Sequence, residues 1–391
     1  MELKYYFLFL IFIIFFSCEN QKTVENNNEK EKTHIIDLTS LKKEDEALIP
    51  PIQSINLLPI KIDTSHLIAH IDKIFYYHHK LFIIDPKMKS INVLDTLGSF
   101  LYKIGNIGEG PGEYTSIYGI TMNKEKEELL LFSMEKRKMI KYALDGRFLE
   151  EKDIPLFIYD FLVLHNEELI VYLNYNGDEK NNHNLLMLDK NYNIQENYFP
   201  FDYKDYLSIS FSGGISLTND GFLYASALSD TIFQYSSKQF FPKYILKFEG
   251  QEIPSEYKVS ASKKMDFIGR NLSSVSYAKN GFIKLKQFLF LPYNEKSRLK
   301  FLIYDENTQT VYTKEVLEAN HVAFQMLSWN NPFIGIKDEN TIIGLIDSEK
   351  VEYLKKNDPN FMERLKQTPY YDQISQMQDD NAFILAFITL K

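Results

Sequence analysis

The residues best suited to chemistry in this 391-residue chain form one loop, Gly105 to Tyr114, reading Gly-Asn-Ile-Gly-Glu-Gly-Pro-Gly-Glu-Tyr. Its glycines, Gly105, Gly108, Gly110 and Gly112, permit positive φ and close approach of another backbone or a ligand. A phosphate cradle is one use of such a loop. Glu109 and Glu113 would repel an anion, however, and no Lys-Ser/Thr pair closes the motif as a P-loop requires. The leading reading is structural: a crossing between two sheets in which Glu113 accepts hydrogen bonds from backbone amides. The second is a ligand-facing loop made of Glu109, Gly110, Pro111, Gly112, Glu113 and Tyr114.

Other candidates are scattered. His66, His70, His78 and His79 fall within 14 residues. On a helix, His66 and His70 would share a face and could hold a metal. The region reads instead as loop and strand, where residues four apart lie about 13 Å from each other. No metal set is therefore assigned, and a divalent ion is the only cofactor considered. Asp85, Asp160 and Asp178 could line a channel, although spacing alone does not make them converge. Trp329, the single tryptophan, lies in Trp-Asn-Asn-Pro-Phe; this turn could stack on a sugar ring or a peptide, or pack into the core. The chain has no HExxH, no paired cysteines and no Ser-His-Asp order, so no catalytic residue is assigned.

The elements that must position these residues come next. Tyr5 to Phe16 are twelve uninterrupted apolar residues, followed by Ser17-Cys18 and a polar stretch. That is short of the roughly 20 residues of a membrane span and suits the core of a secretory signal covering residues 1–17. Cys18 is the only cysteine, so it cannot form an internal disulfide. Its position resembles a lipobox, with Phe15-Phe16-Ser17 departing from the usual residues, and it is the expected lipidation site. Residues 18–32 carry no aromatic residue and read as a disordered tether. The expectation is export to the cell envelope on a lipid anchor, at the outer rather than the inner membrane.

About 360 residues remain, enough for one closed all-β body. Net charge is −9 and aromatics reach 15%. An acidic chain without a basic block lacks the footprint that nucleic acid requires, whereas the aromatics suit strand surfaces.

A repeat appears once strands are aligned. Leu81–Asp95, Leu129–Asp145, Leu169–Asp189, Phe222–Tyr235 and Gly281–Asp305 each read strand, turn, strand, and a further strand follows most of them. Spacing of roughly 40 to 50 residues with short strands is the pattern of propeller blades. Counting Ile52–Tyr77, these five units and the terminal strand gives about six blades, hence a six-bladed β-propeller of four-stranded antiparallel blades over residues 45–391; the domain is expected to be monomeric. Either the strand from Ile52 or the one at Asn381–Lys391 would close the ring. Between 347 and 377, Val351, Leu354, Phe361, Leu365 and Ile374 have helical spacing. Asp358-Pro359 reads there as an N-cap followed by the first helical residue. Short helices are expected before the closing strand.

The chain resembles the six-bladed β-propeller lipoproteins of Bacteroidetes, whose architecture is like that of NHL-repeat propellers. The loop Gly105 to Tyr114 carries the resemblance, with Ser229-Asp230-Thr231-Ile232-Phe233 and Asp379-Asp380-Asn381-Ala382-Phe383 in support. The resemblance implies fold and export but no established chemistry. It also implies O-glycosylation at Asp-Thr-aliphatic sequences, here Thr96 and Thr231, although Asp-Thr is equally ordinary turn chemistry. The functional expectation is a non-enzymatic binding or scaffold module for a protein or glycan at the envelope. The alternative is an exported propeller hydrolase or lyase with a divalent metal in its channel.

Overall fold

Apolar runs of four to eight residues, broken by turns that need left-handed backbone, fold most simply as antiparallel meanders. His78 and His79 illustrate the turn chemistry: both have positive φ (44° and 59°) between two strands, as a two-residue hairpin turn demands. The computed structural model describes residues 32–39, 48–61, 66–164, 166–204, 214–248, 250–258, 260–279, 281–375, 377 and 382–391. The expected signal, Cys18 and the tether up to residue 31 lie outside the described residues.

After His34–Asp37 (β1) and Ile52–Pro59 (β2), the chain forms successive meanders. The first is Lys73–Tyr77, Lys80–Asp85, Ser90–Asp95 and Phe100–Lys103 (β3–β6). Asn106–Ile107 and Glu113–Tyr114 (β7, β8) then pair parallel with each other. Next come Gly119–Asn123, Glu128–Ser133, Lys138–Ala143 and Phe148–Asp153 (β9–β12), then Asp160–Val163, Leu169–Tyr172, His183–Leu188 and Ile194–Pro200 (β13–β16). Gly214–Thr218, Gly221–Ala225, Thr231–Ser236 and Gln239–Lys247 (β17–β20) follow. After helix Ala261–Asn271 (α1) come Ser276–Ala278, Ile283–Leu285, Phe288–Glu295, Arg298–Asp305 and Thr310–Thr313 (β21–β25). Two short helices, Lys314–Asn320 (α2) and Val322–Gln325 (α3), lead to Phe333–Asp338 and Thr341–Asp347 (β26, β27). The chain finishes with helices Ser348–Asn357, Phe361–Lys366 and Tyr371–Ser375 (α4–α6) and strand Phe383–Leu390 (β28).

The fold is mostly β and propeller-like. Strands β9 to β12 and β13 to β16 form four-stranded sheets in chain order, while β17 to β20 gain β1 as a fifth, parallel strand beside β20. The strands β26, β27, β28 and β2 form a run that joins β3–β6 through parallel pairing of β26 with β3. Most inner positions are buried on both faces, which requires each sheet to be covered by neighbours. Phe82 and Val93 share a core with Leu129 and Ile140; Phe132 shares one with Phe161 and Leu186. Ile170 and Leu185 pack with Phe222 and Tyr235, and Leu223 and Ile232 with Leu289 and Leu302. Phe290 and Ile303 meet Phe333 and Ile342, and Ile343 and Leu385 meet Ile83 and Leu94.

Several details differ from the sequence reading. Ile52 and the C-terminal strand are partners rather than alternatives, with Ile52 opposite Leu390 and Pro59 opposite Ile384. Ile52–Tyr77 is consequently not one unit: β2 pairs with the end of the chain and β3 begins the next meander. A strand, β1, also lies upstream of residue 45, with Ile36 fully buried against β20. Asp358-Pro359 does not open a helix. Asp358 ends α4, and α5 starts at Phe361 after Asn360, whose amide donates to Asp358 Oδ1 (3.1 Å). The cap in this region is Asp347, which accepts from the Lys350 amide (2.8 Å). No described helix is long and apolar enough to cross a membrane.

Candidate functional site

Three meanders bring polar groups together at the starts of their first strands. Lys73 opens β3 and Asp160 opens β13; Lys73 Nζ lies 3.6 Å from Asp160 Oδ1 and donates to the Ile120 carbonyl in β9 (3.4 Å). On the other flank, Asn331 Nδ2 donates to the Asp72 carbonyl (2.6 Å). Gly119 makes this gathering possible. A Cβ there would stand 2.8 Å from the Phe161 ring and 3.4 Å from Asp160 Cα, so any larger residue would force the buried Phe161 ring to move. Burial raises the Asp160 carboxyl above its ordinary range; the Lys73 charge and the Phe161 amide oppose the rise, and Asp72 adds to it. Both members of the ion pair retain some contact with solvent, 32% for the Lys73 side chain and 25% for Asp160.

An aromatic row runs inward from this point. Tyr118, immediately before Gly119, is 51% exposed. It meets Tyr159 edge-on at 6.3 Å, Tyr159 meets Tyr172 at 5.9 Å, and Tyr172 meets Tyr224 at 5.7 Å. Tyr172 donates to Asn174 Oδ1 (2.7 Å). Edge-to-face contacts of this kind fix ring orientation, so the exposed Tyr118 ring stands on a rigid support.

Of the three acids singled out from sequence, only Asp160 joins this cluster. Asp85 is fully buried and accepts from the amides of Ala69 (2.7 Å), His70 (3.3 Å) and Met88 (2.9 Å), which fixes local backbone. Asp178 organises its own exposed turn through the Lys180 and Asn181 amides, both at 2.8 Å. Lys73, Tyr118 and Tyr159 went unnoticed in the sequence. The available signal was an aromatic residue directly before an inner strand, as in Tyr118-Gly119 and Tyr159-Asp160.

The glycine loop packs against the outer strands of the next meander. Tyr142 donates to the Gly112 carbonyl (2.6 Å), the Gly112 amide donates to Glu151 Oε2 (3.0 Å), and a Cβ on Gly112 would strike the Phe148 ring. Glu113 Oε2 accepts from the Gly110 amide (2.8 Å), and Lys136 Nζ binds the carbonyls of Glu109, Gly110 and Glu113 at 3.2, 3.1 and 2.9 Å. Tyr114 is buried and donates to the Ile104 carbonyl (3.2 Å), while Pro111 and Glu109 are exposed.

The histidines are dispersed: His66 stacks on Phe100 (3.6 Å), His78 on Tyr77 (4.0 Å), and His79 Nδ1 lies 3.5 Å from the Tyr76 hydroxyl. Among the described residues, no three His, Cys, Asp or Glu side chains gather as a metal site. Trp329 meets Tyr353 edge-on at 5.0 Å and carries the Lys350 ammonium over its ring at 4.6 Å, which occupies one of its faces. Burial lowers the Lys350 ammonium below its ordinary range, and the Lys314 charge adds to that. Thr96 is exposed in a turn built on Asp95, whose Oδ1 accepts from the Leu97 (2.9 Å) and Ser99 (2.8 Å) amides. Thr231 is partly buried and donates its hydroxyl to Asp230 Oδ1 (3.0 Å).

Solved structures of similar fold exist at low sequence identity. One is a Bacteroides fragilis NCTC 9343 protein described as a "Putative exported protein": TM-score 0.71 and 18% identity, covering 91% of this chain and 99% of that one. A second is a member of the DUF4221 family from Bacteroides vulgatus ATCC 8482: TM-score 0.54 and 7% identity, covering 87% of this chain and 97% of that one. At such identities the likeness concerns fold alone. No curated protein matches the chain. A family model described as "Domain of unknown function (DUF4934)" matches residues 33–389, and the chain belongs to that family.

Proposed function

We propose that the protein is an exported six-bladed β-propeller, lipid-anchored through Cys18, that acts as a binding module for a protein or glycan at the cell envelope. The observation that carries the binding role is the half-exposed Tyr118 ring, braced by Tyr159 beside the Lys73–Asp160 pair. A rigid aromatic face next to a donor and an acceptor is the usual composition of a recognition site. The reading requires no cofactor.

Six blades are supported by the succession of shared cores, which runs from β3–β6 through each meander and back to β3–β6. The pairing of β2 with β28 supports closure of the final blade by the two ends of the domain. Export is supported by the apolar run Tyr5–Phe16 and by the exported description of the Bacteroides fragilis neighbour.

The test is photo-crosslinking in cells that express the protein. A photoreactive residue replaces Tyr118 in one variant and Tyr353, a tyrosine 48% exposed on α4, in another. Adducts specific to position 118 are expected. Adducts only at 353, or none at either position, would refute the assignment of the binding face.

A further inference from the structure

We infer that the ligand of this face is an uncharged saccharide, with one pyranose ring stacked on Tyr118 and its hydroxyls held by Lys73 and Asp160. This inference rests on the binding-module reading above. Three features of the site select that chemistry.

First, the polar groups compensate each other. Lys73 Nζ and Asp160 Oδ1 stand 3.6 Å apart. A cationic or anionic ligand would have to displace one partner and leave the other poorly matched. A neutral polyol adds hydrogen bonds while the pair stays intact.

Second, both groups have bonding capacity to spare. Asp160 Oδ1 accepts from the Phe161 amide (2.9 Å) as well as facing Lys73, which leaves Oδ2 as an acceptor. The Lys73 ammonium has three N–H donors, and one of them meets the Ile120 carbonyl. A vicinal diol, with a donor and an acceptor on adjacent carbons, complements an ammonium beside a carboxylate.

Third, the aromatic partner is braced. The Tyr118 ring meets Tyr159 edge-on and keeps a face toward solvent, so binding costs little side-chain ordering. A pyranose presents C–H groups on its face and hydroxyls around its rim, so it can use a ring face and polar groups at once; Tyr118 directly precedes β9 and Tyr159 directly precedes Asp160 at the start of β13. An extended peptide would look for unpaired strand edges. Because β9 and β13 are the end strands of their sheets, each paired on one side, strand addition is the competing outcome that the peptide control reads.

The test uses the full-length chain in detergent micelles and calorimetric titration. The probes are maltohexaose, cellohexaose, xylohexaose and mannohexaose, with polygalacturonate as the anionic control and a random heptapeptide pool as the peptide control. At least one neutral oligosaccharide is expected to bind. Tyr118→Ala should weaken that binding about tenfold, while Tyr118→Trp and Tyr353→Ala on α4 leave it intact. Tyr118 is half exposed, so its variants should melt with the parent, and a melt of each confirms it.

Binding of the peptide pool, lost in Tyr118→Ala, would overturn the saccharide assignment and leave the binding face standing. Saccharide binding indifferent to Tyr118→Ala would overturn both the face and this inference. Preference for polygalacturonate would overturn the argument from charge compensation. Absence of binding to every probe would overturn the saccharide inference outright.

Discussion

The pairing of β26 with β3 makes a quantitative prediction at Gly335. In the parallel register Gly335 lies opposite Ile74 and Ile336 opposite Phe75. A Cβ on residue 335 would sit well inside 3.0 Å of the Ile74 carbonyl oxygen and 3.2 Å from its carbon. The obstacle is backbone, so no side chain can swing away, and Gly335→Ala must push the strands apart. Overpacking costs about 1–3 kcal/mol, and the weakened ladder adds about 0.5–1.5 kcal/mol per bond. The sum is about 1.5–4.5 kcal/mol, a large share of the roughly 5–15 kcal/mol that holds a domain folded. With a urea dependence of about 3 kcal/mol per molar, the midpoint should fall by about 1 M. The control is Gly269→Ala in α1, where nothing lies within 4 Å of the new methyl; it should stabilise by up to about 1 kcal/mol through helix propensity. Urea unfolding followed by tyrosine fluorescence reads both variants. A Gly335→Ala midpoint within about 0.2 M of the parent would show that β26 and β3 do not pair in this register.

Three further expectations concern charge, capping and attachment. Burial alone would raise the Glu306 carboxyl, yet hydrogen bonds from Lys284 (2.8 Å) and Tyr244 (2.6 Å), with the charges of Lys284 and Lys243, hold it below the ordinary range. Its stabilisation is therefore full at neutral pH and lost as pH falls through that lowered value. Glu306→Gln should flatten the acid limb of a stability–pH profile, and an unchanged limb would refute the assignment. Glu306→Ala, which strands the largely buried Lys284, should cost about 2–3 kcal/mol. Asp347→Ala removes the N-cap of α4 and should cost about 1 kcal/mol in urea unfolding, with Asp347→Asn close to parent. Cys18→Ala should move the protein from the detergent phase to the aqueous phase on Triton X-114 partition of cells; retention in the detergent phase would contradict lipid anchoring at Cys18.

How much of this could be read from sequence depends on how far apart the partners lie. The strand Phe383–Leu390 and the Glu113-to-amide bond of the glycine loop are local, and their residue types announce them. Helix α1 is local too, but among its described side chains only Ile268 is buried, with Met265 and Phe267 partly buried against the same core, so three apolar residues within four positions carry its pattern. Lys73 and Asp160 lie in different meanders, so only the packing of β9 between their strands, permitted by Gly119, brings them together. The pairings of β1 with β20 and β2 with β28 join segments hundreds of residues apart. No local pattern encodes such a register, and strands four to eight residues long offer many alternatives. Asp358-Pro359 misled because Asp358 serves the turn after α4, where its side chain accepts from Asn360.

The strand β1 has a mechanical meaning. Its pairing begins with His34 opposite Tyr244, reinforced by the Thr33 hydroxyl on the Pro242 carbonyl (2.8 Å) and by the His34 ring 3.0 Å from the Tyr304 hydroxyl. Tension entering along the N-terminal chain therefore meets β1 before it can reach Ile52. The strand works as a strain relief, like the clamp where a cable enters a housing. A pull on the chain ahead of Thr33 would peel or shear four residues from the rim of one sheet before the β2–β28 joint took load.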